Sequence, residues 1–590
     1  MTKEVKKAIL ATVALPVALW GANVTFPGSG GDLAGEGPDD WNRSLPSVDD
    51  TVILDKSGIY TLSGNVTFKA VRPQADGIVL RFGANRLTMT GNIYGTAQNA
   101  TIVYDGGTFD LSGTGNFSPA QASVTGASAV ITNGCVVTNV GTFYATSYSS
   151  LSRAVVTGGS RIHSAKANVC HQGGSGNRLE IMGGAQVHVD ETVSFGGSGG
   201  TASAHGGSVI LVSGAGSLFH QKGGTDSSPF YIRIGNRFED DSFIVTDGAS
   251  ALSDSGGVTL GKSGSGLTVE KGATASFPLV CFTGSGNRTT VSDGTFTCST
   301  TFSMAYTDGE TAYNPAGCSN NVFLATGPGA SVTLKGPDFF GTGHHNTIKV
   351  ENGATLMQSG NLNQFMSQTC NSRLLISGQG TLVGKSDGTL YVASQTSADS
   401  INSVSNTVSV SDGATLQVSR MNLQGVANEL SISNATVVIM GGDSNNHAFT
   451  SGSRASGTTH TNNVVTLCGE TPKLTISTDA TRCRFLGGST LRIRVPKDGY
   501  EKGYVPINLA CNFMMDSSSA MALDCDEWAA HTGGTLHLIK AKAFEDRSAG
   551  ESTVGRLEAT ALPPDCSLVV SGGNVYLKCP RRKGFRVIIR

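Results

Sequence analysis

Four sets of residues have types and spacings that match a known chemistry. The first is GGVTLGKS, residues 256–263, with Lys262 and Ser263 where a phosphate-binding loop carries them. That chemistry needs a helix to start directly after the loop, so that its first amides face phosphate. Here GSGLTVEKGATASF follows, which alternates like a strand, and VSFGGSGG (193–200) holds the same place after another strand without the Lys. Nucleotide binding is therefore not expected. The second set is carboxylate clusters, the raw material of calcium sites and of general acid–base pairs. Arg237-Phe238-Glu239-Asp240-Asp241 is one, and Asp524, Asp526 and Glu527 form another. Each reads more simply as a solvated loop.

The third set is the 11 histidines. Only His344 and His345 are adjacent, and neighbours on a strand point to opposite faces. There is no His-Glu-x-x-His and no Gly-Gly-x-Gly-x-Asp calcium repeat, so no metal centre is expected. The fourth is the 12 cysteines, none in a C-x-x-C pair. Cys468/Cys483, Cys511/Cys525 and Cys566/Cys579 are loosely spaced pairs, open to two readings: disulfide staples between neighbouring turns, or buried thiols acting as small apolar side chains. No residue is assigned a catalytic, cofactor-binding or metal-binding role, and no cofactor is expected.

What must position these residues is a repeat. NTIKVENGATL (346–356) and NTVSVSDGATL (406–416) are near copies, both reading Asn, two alternating apolar residues, a Gly-Ala corner and a further apolar residue. Alternation marks a half-buried strand, and glycine after a polar pair marks a turn. Related copies are NRLEIMGGAQV (177–187), SVILVSGAGSL (208–218), SFIVTDGASAL (242–252), GLTVEKGATASF (266–277), RLLISGQGTL (373–382) and NELSISNATV (428–437), with NRTTVSDGTF (287–296) one residue short. A unit of this size cannot bury its apolar positions alone and must stack on the next. The sequence thus predicts an all-β fold, a right-handed parallel β-helix (β-solenoid) with N- and C-terminal caps. Right-handed winding is the default for parallel crossovers. The Asn that opens many copies (Asn177, Asn287, Asn346, Asn406, Asn428) is expected at a bend, its amide bonding to backbone or stacking on the next turn's Asn.

In 590 residues there are 78 glycines and 3 tryptophans, and charged residues are 15%, below the roughly 25% of ordinary globular chains. A net charge of −2 gives no electrostatic case for nucleic acid. Residues 1–22 read as a secretory signal, with Lys3, Lys6 and Lys7 before an apolar run. The N-terminal cap is expected over 23–69, with Trp41 covering the core, and the repeats over 70–487. Proline and charge become denser over 488–580, read as a C-terminal β cap in which Ser571-Gly572-Gly573-Asn574 turns a hairpin. Residues 581–590 are a basic tail. The longer polar stretches 301–320 and 441–462 are expected to leave the body as loops.

These repeats, with WNRSLPSVDDTVIL (41–54) at one end and LPPDCSLVVSGGNVYLKC (562–579) at the other, resemble the passenger regions of autotransporter-like bacterial surface proteins. They are also similar to the β-strand repeats of exported proteins of Verrucomicrobia and Lentisphaerae type. The resemblance spans most of 41–579. It implies an exported, non-enzymatic adhesive or structural protein, secreted or outer-membrane associated at the cell surface, with host or bacterial surface glycans or proteins as partners. Membrane association would come only through the export signal or a surface anchor. No series of alternating strands long enough for a membrane barrel follows the passenger-like part, so export through a fused barrel is not expected. The competing expectation is a β-helix polysaccharide lyase or glycoside hydrolase.

Overall fold

A computed structural model describes residues 22–581 except 36–40, 42–45, 96–98, 113–114, 120–124, 147–149, 170–173, 196–205, 224–229, 236–237, 305–317, 336–342, 360–368, 386–388, 393–403, 442–446, 453–460, 480–481, 546–552, 554–556, 558 and 561. The signal segment, Arg237 and the basic tail beyond Arg581 lie outside these residues, as do most of the two long polar stretches. The fold is all-β, 58% strand against 2% helix, and its strands are overwhelmingly parallel.

The repeat unit folds as its pattern dictates. In NTIKVENGATL, Thr347–Glu351 is a strand with Ile348 and Val350 buried and their neighbours half-buried. Asn352 and Gly353 then turn the chain with φ of 58° and 85°. Two successive left-handed residues suit Asn or Asp followed by Gly and few other pairs. Ala354 lies fully buried inside the corner, where a larger side chain would meet the core, and Thr355–Ser359 leaves on a second face. Asp247-Gly248, Lys271-Gly272 and Asp412-Gly413 repeat this corner. In the copy over 287–296, one residue shorter, Asp293 alone turns, with φ of 50°. Asn434 does the same in the copy that begins at Asn428.

Successive units pair in register. Ser242–Thr246 lies beside Gly266–Glu270, with Phe243 opposite Leu267 and Val245 opposite Val269. One lap of the chain here takes 266 − 242 = 24 residues. The same column runs on through Arg288–Ser292, Val322–Thr326, Thr347–Glu351, Arg373–Ser377, Thr407–Ser411 and Glu429–Ser433. A second column starts after the corner: Arg161–Val169, Gln186–Val189, Leu218–Gln221, Ser250–Ser253 and Thr274–Phe282. A third holds Val193–Phe195, Phe230–Ile234, Gly257–Leu260 and the far end of Thr274–Phe282. Further along, Thr389–Tyr391, Arg420–Leu423, His447–Ser451, Arg482–Phe485 and Asn512–Met515 form a separate parallel sheet. Alternate residues from the columns meet in one continuous apolar core from Phe26 to Cys579. Each fully buried Leu, Ile, Val or Phe there contributes about 1.5–3 kcal/mol.

The opening Asn residues build a second, polar column inside the corner that leads into the first strand. Ser265 N–H donates to Asn287 Oδ1 (2.9 Å), Asn287 N–H to Asn321 Oδ1 (2.9 Å) and Asn321 N–H to Asn346 Oδ1 (2.9 Å). Asn346 N–H then donates to Ser372 Oγ at 3.3 Å, and Ser372 N–H to Asn406 Oδ1 at 3.0 Å. Asn406 N–H donates to Asn428 Oδ1 (2.8 Å), and Asn428 N–H to Asn463 Oδ1 (3.1 Å). The amide nitrogens complete the accounting, since Asn287 Nδ2 donates to the carbonyls of Leu260 and Gly261 and Asn321 Nδ2 to those of Gly284 and Met304. At this bend a backbone N–H would otherwise be buried without a partner, and a carboxamide both accepts from it and donates onward.

The two ends differ from the body. Near the start, Trp41 is buried, its ring 4.8 Å from that of Phe26 and 6.3 Å from that of Phe68. Near the end the pairing turns antiparallel. Ser567–Ser571 and Asn574–Cys579 form the hairpin expected from Ser571-Gly572-Gly573-Asn574, and Gly534–Lys540 pairs with its second strand. Cys566 and Cys579 are disulfide-bonded across this hairpin. The other two cysteine pairs are not joined: Cys468, Cys483, Cys511 and Cys525 stand as thiols, all but Cys468 buried. Burial pushes the Cys525 thiol up to about 11, with Asp526 and Asp524 adding to the shift. One element was not expected: a six-residue helix, Asp526–His531, which anchors through the buried Trp528.

Candidate functional site

The structure separates some of the candidate residues and brings others together. Lys262 and Ser263 are exposed in a corner, and the next element is the strand Gly266–Glu270 rather than a helix. The loop of Glu239, Asp240 and Asp241 stacks directly on that corner. Asp240 N–H donates to the Ser263 carbonyl (3.0 Å), Lys262 N–H to the Gly235 carbonyl (2.7 Å) and Gly266 N–H to the Asp241 carbonyl (2.8 Å). Glu239 and Asp240 are exposed, whereas Asp241 is 1% exposed and occupies an Asn position of the polar column. Its Oδ1 accepts from Ser208 N–H at 3.0 Å, and its Oδ2 has no hydrogen-bond partner. Burial pushes this carboxyl up to about 7, opposed by the Ser208 and Gly235 amides. An acid in place of an amide lacks the donor that the site calls for unless it holds its proton.

Asp524, Asp526 and Glu527 are all exposed. Asp526 and Glu527 occupy the first turn of the short helix, and Asp524 ends the strand before it. His344 ends the two-residue strand Gly343–His344, while His345 is exposed with φ of 61°, so the two do not act together. Among the described residues, no group of three or more His, Cys, Asp or Glu is placed to hold a metal ion.

The residues that do converge are three histidines the sequence scatters. On the outward side of the second column, His163 lies opposite His188 and His188 opposite His220, one in each of three consecutive turns. Alternation forces this arrangement. Ile162, Val187 and Phe219 point into the core beside them, so the next residue in each strand must point out. His163 Nε2 lies 3.0 and 2.9 Å from the two oxygens of Asp190, and Lys222 Nζ approaches the same carboxylate at 3.4 Å. His220 Nε2 lies 2.9 Å from Asp254 Oδ1. His188 stands between these pairs with no carboxylate of its own among the described residues. Its Nε2 is 3.4 Å from Gln186 Oε1, its Nδ1 is buried without a partner, and its ring meets that of His220 edge-on at 5.6 Å.

The electrostatics follow from that placement. Burial lowers the His188 pKa below the ordinary imidazole value, and the charges of His220, Lys222, His163 and Arg161 lower it further. For Asp190, partial burial disfavours the charge, but His163 and Lys222 outweigh it and hold the carboxyl below its usual value. The column is thus a neutral imidazole flanked by two imidazole–carboxylate pairs. A signal for it existed. Aligned on corner glycines, the three copies place the histidine identically: 163 − 159 = 188 − 184 = 220 − 216 = 4. Reading histidines by adjacency along the chain, instead of by repeat position, misses it.

A different outward column carries Glu180, which is buried although it points away from the core. Arg153 Nε and Arg178 Nε each lie 2.9 Å from its Oε1. Burial opposes the Glu180 charge, and the two guanidiniums outweigh that and keep the carboxyl low. It is a closed ion cluster, with its carboxylate already spoken for.

No protein-family model matches the sequence, and no characterised protein matches it at a significant level.

Proposed function

We propose that the chain is an exported right-handed parallel β-helix that serves as a non-enzymatic adhesive or structural scaffold at the cell surface. The observation that carries this reading is the parallel register, kept from Gly58–Thr61 to Ala520–Asp524 while the lap length varies. The lap is 288 − 266 = 22 residues in one place and 322 − 288 = 34 in the next. A stack that absorbs insertions without losing register is a rigid carrier for loops, and loops on a rigid carrier are where binding resides. Right-handed winding has the support of the general preference of parallel crossovers. Export has the support of the basic-then-apolar residues 1–22 and of the Cys566–Cys579 disulfide, a bond that persists in oxidising compartments. Binding along such a body would gain strength by repetition of weak contacts.

Cell fractionation with a surface-protease challenge tests this reading. A mature chain starting near residue 23, cut by protease added to intact cells, is the expected result. A chain retained in the cytoplasm with Met1 intact would overturn it.

A further inference from the structure

We infer that the histidine-bearing face formed by Arg161–Val169, Gln186–Val189 and Leu218–Gln221 binds an acidic polysaccharide, one carrying carboxylate or sulfate groups, at acidic pH. This deepens the surface-scaffold reading and rests on it.

Arg161–Val169 brings Arg161, His163 and Lys166 to this face, and Gln186–Val189 brings His188, followed by Asp190 and Glu191. Leu218–Gln221 brings His220, followed by Lys222, and Ser250–Ser253 brings no titratable group but is followed by Asp254. On the other side Val136–Thr146 brings only Tyr144. Among the described residues, with neutral imidazoles, the face holds three cations (Arg161, Lys166, Lys222) against three carboxylates (Asp190, Glu191, Asp254), 3 − 3 = 0. With all three histidines protonated it holds six against three, 6 − 3 = +3.

Protonation also has somewhere to act. The carboxylates are already engaged, Asp190 by His163 and Lys222, Glu191 by Lys166 at 3.1 Å and Asp254 by His220. No carboxylate among the described residues lies against the half-buried His188, so the charge a proton gives it is not neutralised within the column and adds to the field an outside anion meets. With the histidines protonated, a cation stands on each of three consecutive turns, roughly 4.8 Å apart along the stack. That period is comparable to the length of one sugar unit. A linear polyanion lying along the stack therefore meets a cation at each turn, and the weak contacts sum. A folded protein partner has no reason to repeat its charge at this interval.

The test is binding of the purified mature chain to immobilised polygalacturonate, dextran sulfate and neutral dextran. Affinity for the two acidic polymers should be roughly tenfold or more higher at about pH 5 than at about pH 7.5, and neutral dextran should not bind at either. Polygalacturonate and dextran sulfate separate the carboxylate from the sulfate source. The triple variant His163→Gln/His188→Gln/His220→Gln should lose the gain at low pH, while His531→Gln, an exposed histidine on the distant helix, should keep it. Lys222→Gln should weaken binding at both pH values, and it guards against a triple variant that does not fold. Equal wild-type binding at the two pH values, a gain that survives in the folded triple variant, or equal binding of neutral dextran would each overturn the inference. A surface-exposed chain that ignores all three polymers refutes this inference alone. A cytoplasmic chain refutes the surface reading whatever the purified protein binds.

Discussion

Two polar columns run along this molecule, and both are made by the same repetition. One is the Asn/Ser column buried inside a corner; the other is the histidine column on the outward side of the second column of strands. In each, register places one polar side chain above the next. What differs is water. Inside, every donor must find an acceptor within the protein, and carboxamides, which do not titrate, meet that need turn after turn. Outside, solvent relieves that demand and titratable groups are tolerated. Repetition builds structure where the column is dry and chemistry where it is wet.

The sharpest way to break this comparison is the one acid in the dry column. Asp241 is held near 7 in the fold against an ordinary carboxyl value of 3.8. A raised carboxyl pKa means the native state keeps its proton while the unfolded chain loses it. The contribution is complete below about pH 4 and is lost as pH rises through about 7. Asp241→Asn supplies a permanent donor. It should therefore raise stability most above pH 7, by about 2–4 kcal/mol, and match wild type near pH 3. Urea denaturation across that range checks it, and an unchanged midpoint at about pH 8 would show that the acid is already satisfied.

Removing a carboxamide is the converse. Asn428→Ala leaves the buried Asn406 N–H without its acceptor and should cost about 1–3 kcal/mol, read as a lower urea midpoint. At the apolar positions of the same laps the cost is larger in kind. Ile348→Asp places a charge in the core and should destabilise by at least several kcal/mol. The smallest effect belongs to the wet column, where His188→Gln keeps a polar group at a half-buried site and should change stability by less than about 0.5 kcal/mol. A His188 variant as costly as Asn428→Ala would erase the distinction between the columns.

Much of this was legible in the chain. Alternation at Ile348 and Val350, the left-handed corner at Asn352-Gly353 and the bend role of Asn287 or Asn406 all follow from local chemistry, so the all-β parallel stack could be read directly. The hairpin at Gly572-Gly573 was equally local. What was not legible depends on which residues share a column. The three histidines stand 25 and 32 positions apart (188 − 163 and 220 − 188), because the laps differ in length, and their likeness shows only when the copies are aligned on the corner glycines. Whether a cysteine pair closes is likewise a matter of register: Cys566 and Cys579 flank a hairpin, whereas Cys483 faces Phe513 of the next strand, not a cysteine. The helix at Asp526 is six residues long, too short to show a helical period.

The in-register stack underlies both columns, and amide hydrogen exchange tests it most directly. The corner amides of Ser265, Asn287, Asn321, Ser372, Asn406 and Asn428 should exchange as slowly as the strand amides that follow them, because each donates to a side chain of the next turn. Exchange of those amides at the rate of an open loop, beside protected strands, would contradict it.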